Sequence, residues 1–95
     1  MLAERWLISG RVQGVSFRWF TRDQASRLGL VGTVRNLTDG RVEVVVAGDG
    51  VAIEKLRQAV ADGPPMARVS AVDRMPLDEA ESSDIATRPD FEITF

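Results

Sequence analysis

Residues 8–18 read Ile-Ser-Gly-Arg-Val-Gln-Gly-Val-Ser-Phe-Arg, an apolar run, a loop with two glycines, and a helical pattern whose first turn carries Arg18. If the chain turns at Gly14, the amides of Gln13, Gly14, Val15, Ser16, Phe17 and Arg18 can line a small concavity. Gly14 brings no side chain to obstruct an anion's oxygen. The helix start adds partial positive charge, and Arg18 adds a full charge on a planar fork matched to two oxygens. That is the chemistry of a small-anion site, most naturally for phosphate. The spacing alone is not specific, because ordinary turns use the same pattern, and on that feature by itself the purely structural reading is the stronger. The loop lacks the Gly-Lys-Ser/Thr ending of a nucleotide-binding P-loop, so ATP or GTP is not indicated.

Asn36 is the second candidate. It stands just before an Asp39-Gly40 turn signal. Its amide both donates and accepts, so it could hold a water by one group and leave a lone pair free. Local sequence favours the simpler role of shaping the turn. Ser16 has no accompanying base and reads as a helix N-cap rather than a nucleophile. Trp6 and Trp19 read as packing residues, with Trp19 able to border the site. The acidic run Asp78–Asp84 lacks the spacing of a calcium loop and reads as solvated.

The chain contains no His, Cys or Tyr. Nucleophile systems built on Ser-His or Cys-His are therefore excluded, as are zinc sites built on His or Cys. No cofactor or metal is expected. The absence of cysteine suits a cytoplasmic protein.

Ninety-five residues suit one domain, 1–95, and the 44% apolar and 27% charged content is that of a soluble protein. No apolar run approaches the roughly 20 residues that span a bilayer, and the N-terminus lacks the pattern of a signal peptide. Charge is uneven. Residues 1–45 carry seven arginines against four carboxylates, a net of +3, whereas residues 46–95 carry five basic against ten acidic side chains, a net of −5. That balance argues against nucleic-acid binding by the whole domain and suits a local anion site in the first half. Two solvated faces of opposite sign would give the same numbers.

The elements that must position these residues follow from periodicity. Glu4–Val12 is expected as a strand with Trp6, Ile8 and Val12 on one side. Phe17, Phe20, Ala25 and Leu28 fall near helical spacing up to Gly29. Leu30–Asn36 and Arg41–Ala47 are expected as a hairpin across the turn. Asp49 is placed to cap a second helix with Val51, Ile53, Leu56, Ala59 and Val60 on its apolar face, stopped by Gly63-Pro64-Pro65. Ala67–Arg74 is expected as a strand, Pro76–Pro89 as a loop, and Phe91–Phe95 as a final strand. The order predicts an α+β, ferredoxin-like βαββαβ sandwich, an antiparallel sheet with two helices on one face. The same fold could serve as a non-enzymatic module such as an RNA-recognition domain, but Arg41–Ala47 carries none of the stacking aromatics this requires.

With these residues in place, the chain resembles the acylphosphatase family. Ile8–Arg18 fits the family's Gly-x-Val-Gln-Gly-Val-x-Phe-Arg signature throughout. Gly32, Asn36, Gly40, Val42 and Gly48 stand at the family's spacing, Leu28–Gly32 between them is typical, and the likeness continues to Asp90-Phe91-Glu92-Ile93. The resemblance implies hydrolysis of acyl phosphates to carboxylate and inorganic phosphate. Arg18 would hold the phosphate, Asn36 would orient the attacking water, and Gln13, Gly14, Val15, Ser16 and Phe17 would supply the amide cradle. It also implies a small-molecule acyl phosphate as substrate and inorganic phosphate as product; a monomer with no nucleic-acid or membrane partner is expected. Two departures stand out. Thr33 replaces a usual aromatic residue, and Leu37 follows Asn36 where some members have a hydroxyl residue, a task left to Thr38 or to nothing.

Overall fold

The computed structural model describes all of residues 1–95. Alternation builds β1 (Leu2–Arg11), which buries Trp6 and Ile8, and a bulge at Ser9/Gly10 then redirects the chain into the loop. Gly10 makes that bulge feasible. Its φ is +120°, and a Cβ there would stand 2.0 Å from the Arg68 carbonyl oxygen. Next come α1 (Phe17–Arg27), β2 (Val31–Asn36), β3 (Val42–Gly48), α2 (Gly50–Asp62), β4 (Arg68–Met75), α3 (Glu79–Ala86) and β5 (Phe91–Ile93).

The strands lie in the order β4-β1-β3-β2-β5. The first four pair antiparallel, with Trp6 opposite Val44 and Val44 opposite Val34, so one face carries a continuous row of buried side chains. Phe17 and Ala25 of α1 and Ile53, Leu56 and Val60 of α2 close over that row and complete the core. Asp49 caps α2 as expected, accepting from the N–H groups of Val51 and Ala52. Val51, expected on the apolar face, instead projects into solvent, because at about 100° per residue it stands opposite the buried Ile53, Leu56 and Val60 around the helix.

Two expectations are corrected. The sheet is mixed rather than wholly antiparallel, because β5 runs parallel to β2. Residues 76–89 are not simply a loop, because they contain α3. The topology explains both. The chain leaves β4 at one edge and must reach the free edge of β2 at the other, so it crosses the sheet. An irregular segment laid over a half-apolar face would leave backbone groups unpaired, and a helix satisfies them internally. Asp78 starts that helix with a capping box. Its carboxylate accepts from Glu81 N–H at 2.7 Å, and the Glu81 carboxylate accepts from Asp78 N–H at 3.2 Å. Ile85 is buried against the face opposite α1 and α2, beside Val45 and Thr33, with Glu81 ion-paired to Arg5. No helix is long and apolar enough to cross a membrane.

Candidate active site

The loop between β1 and α1 opens onto a cavity of about 170 Å³ lined by Val12, Gly14, Ser16, Phe17, Arg18, Trp19, Asn36 and Ile93. Its one charged group is Arg18, and no carboxylate lines it. Gly14 (φ +74°) and Ser16 (φ 61°, ψ 23°) are both left-handed, which turns successive peptide units and shapes the loop. Ser16 occupies the N-cap position of α1, but its side chain makes no capping hydrogen bond, a correction to the expectation. A side chain held in that left-handed geometry is turned away from the first-turn amides that a cap must reach.

Those amides are therefore left open. The N–H groups of Gln13, Gly14, Val15 and Ser16 have no acceptor within the chain, and those of Phe17, Arg18 and Trp19 lack an i−4 carbonyl. The first turn of α1 contains no acidic side chain that would neutralise its positive end. Gly14 leaves open space where a Cβ would stand, with nothing within 4 Å.

Asn36 reaches the same cavity from the far end of β2. It lies on the core face in register with Val42, two residues beyond the buried Val34. Its side-chain amide has no hydrogen-bond partner in the protein. Thr38 does not support it, being exposed at the turn with no side-chain hydrogen bond of its own. The fold thus brings together Arg18, Asn36, Gly14, Ser16 and Phe17.

Gln13 and Val15 do not line the cavity. Val15 packs against the core. The Gln13 side chain turns the other way and donates to the carbonyls of Leu37 and Arg41, joining the loop to the β2–β3 hairpin. This tie was not legible from the sequence, because its acceptors are backbone carbonyls 24 and 28 residues away. Phe95 is also new to the site. Thr94 N–H donates to the Val34 carbonyl, carrying the chain past the end of β5, and the Phe95 ring lies 5.1 Å from the Arg18 guanidinium carbon.

The acylphosphatase family model matches residues 4–93. An acylphosphatase of Xanthomonas oryzae pv. oryzae is 48% identical over 87 residues, which is 92% of this chain and 99% of the relative. One from Archaeoglobus fulgidus is 40% identical over 95 residues, the full length of both chains. The crystal structure of acylphosphatase from Bacillus subtilis superposes with a TM-score of 0.83 at 34% identity, covering 100% of both chains. By sequence, by fold and by the extent of the match, the chain belongs to the acylphosphatase family.

Proposed function

We propose that the protein hydrolyses acyl phosphates, with Arg18 and the amides of residues 13–18 holding the phosphoryl group and Asn36 placing the attacking water. The carrying observation is that one cavity holds a guanidinium free of carboxylate partners, the open end of α1 and an unpartnered side-chain amide. Water held by Asn36 attacks phosphorus in line. The bond from phosphorus to the acyl oxygen breaks, and the electron pair leaves with the carboxylate. The water's proton passes to a phosphoryl oxygen, giving inorganic phosphate. A carboxylate, with a conjugate-acid pKa of about 4–5, departs without a general acid, so a chain lacking histidine can do this chemistry. What remains is positioning and stabilisation of negative oxygens, which guanidinium and amide donors supply.

The same reading includes a metal-independent reaction by a monomeric, cytoplasmic single domain. The metal independence is supported by a lining with no carboxylate, histidine or cysteine. Use of the fold for RNA is not supported. The face opposite α1 and α2 presents Arg5, Thr33 and Val45 rather than aromatics, and α3 covers it. The test is phosphate release from acetyl phosphate in the presence of a chelator. Steady turnover is expected, and none would overturn the reading.

A further inference from the structure

A second cavity, of about 180 Å³, lies on the face of the sheet away from α1 and α2. Its floor is one row across three strands. Arg5 of β1 stands opposite Val45 of β3, and Val45 stands opposite Thr33 of β2. These side chains alternate with the core residues Trp6, Val44 and Val34, so they point to the other face. The roof is α3 with its flanks, which bring Leu77, Asp84, Ile85 and Arg88 over that row. Only Ile85 of the helix is buried, and Val45 and Thr33 remain half-buried beneath it. Thr33 stands where the family usually carries an aromatic ring, and the room such a ring would take is left open.

The charges around this space are unequally committed. Arg5 is ion-paired to both Glu81 and Glu43. Asp84 makes no ion pair, and only its backbone carbonyl is used, by Thr87. Arg88 reaches one carboxylate, Glu92 at 3.5 Å, and its Nε is buried with no hydrogen-bond partner. Asp84 and Arg88 have the i, i+4 spacing that pairs such groups on a helix. They do not pair here, because α3 ends at Ala86 and Arg88 turns toward β5. One cavity therefore offers an uncommitted carboxylate at its exposed side, a guanidinium with a spare donor, and an apolar wall of Val45, Leu77 and Ile85. A ligand with only negative charge would face Asp84, and one with only positive charge would face Arg88. A ligand carrying both signs close together answers both groups, and an apolar part would cover the wall.

We propose that this cavity binds a free α-amino acid with an apolar side chain. Arg88 holds the carboxylate and Asp84 the ammonium, and the side chain lies against Val45, Leu77 and Ile85 above Thr33. The volume suits a molecule of that size and is too small for a nucleotide. The site shares no residue with the cavity that holds Arg18 and Asn36, so it stands independently of the phosphoryl-transfer reading.

The experiment titrates L-phenylalanine and L-leucine, to millimolar concentration, into the isotope-labelled protein and follows backbone amide signals by NMR. Saturable shifts are expected at Thr33, Val45 and the residues of α3. Two partial ligands separate the charges. Hydrocinnamate lacks the ammonium and phenethylamine lacks the carboxylate, and each should bind about tenfold or more weakly than phenylalanine. Thr33→Phe fills the cavity and should abolish binding. Asp84→Asn and Arg88→Gln lie outside the core, so they should fold, which unfolding curves check, and each should weaken binding about tenfold. Three results would overturn the proposal: no saturable shift at these residues with either amino acid, binding that survives Thr33→Phe, or a partial ligand that binds as tightly as phenylalanine. Full affinity in both Asp84→Asn and Arg88→Gln would do the same, and it decides the matter even if Thr33→Phe does not fold.

Discussion

The side-chain amide of Gln13 donates at 2.8 Å to the Leu37 carbonyl and at 3.0 Å to the Arg41 carbonyl. One side chain thereby locks the loop that leads to Arg18 onto the hairpin that carries Asn36. The two halves of the cavity come from segments far apart in the chain, and this bridge sets their spacing at the point where both open toward a ligand. Gln13→Ala should cost about 1–3 kcal/mol, the worth of two partly buried hydrogen bonds, and lower kcat at least tenfold by loosening that spacing. Gln13→Glu should be worse, because it sets a carboxylate against two carbonyl oxygens. Urea midpoints and kcat measured together check this, and a Gln13→Ala variant with full kcat would show that the bridge does not position the site.

Arg18 makes no ion pair within the chain, and its one aromatic contact is with the exposed Phe95 ring. Arg18→Lys keeps the charge and loses the two-pronged donor, so turnover of an acyl phosphate should fall by about 10²–10³ with little change in thermal midpoint. Near-normal turnover would remove Arg18 from the chemistry.

The Asn36 side chain makes no hydrogen bond within the protein, so truncating it should leave stability nearly unchanged. Asn36→Ala should lower kcat by about 10²-fold, comparable to the loss of one oriented donor in the transition state. A change confined to KM would contradict a role in placing the water.

Gly14 separates backbone geometry from ligand access. Its φ of +74° strains any replacement, yet a Cβ meets nothing within 4 Å. Gly14→Ala should therefore cost about 1 kcal/mol of stability, as expected for a non-glycine residue forced left-handed. Phosphate affinity should fall by more than this, because the added methyl enters the space the loop leaves for an anion. Isothermal titration with inorganic phosphate, read beside the unfolding curve, distinguishes the two effects.

The turn beneath Asn36 gives the acid response a sign. The Arg41 guanidinium, hydrogen-bonded to Asp39 at 2.8 Å, and the Arg41 N–H at 3.0 Å hold the Asp39 carboxyl below its ordinary value. Arg57 and Arg74 do the same for Glu54. A carboxyl depressed in the folded state adds stability that is present above its unfolded pKa, near 4. That contribution is lost as pH falls through the lower folded value. Asp39→Asn should flatten the acid limb of the urea midpoint between pH 4 and pH 2, and the difference should shrink in high salt because the pair is open to solvent.

Much of this protein was legible one segment at a time. Alternation places Trp6 and Ile8, the Asp49 cap starts α2, and Gly63-Pro64-Pro65 ends it, because side-chain periodicity, capping and breaking are short-range effects. The glycine-bearing loop before Arg18 likewise offers a small-anion site, the absence of histidine excludes nucleophile systems built on it, and the family resemblance adds the acyl phosphate. The cap at Asp78 is equally local, yet the segment after it carries no helical stripe, because polar residues outnumber apolar ones from Glu79 to Ala86 and only Ile85 is buried. Its helicity is set by the need to cross the sheet from β4 to β5. Tertiary structure alone decided that Asn36 meets Arg18, since that depends on β2 lying outside β3 and on α1 closing over them. It also decided that Gln13 turns to the hairpin and that the Phe95 ring comes to lie over the Arg18 guanidinium. Each of these depends on which distant surfaces are buried together, and no window of local sequence contains that information.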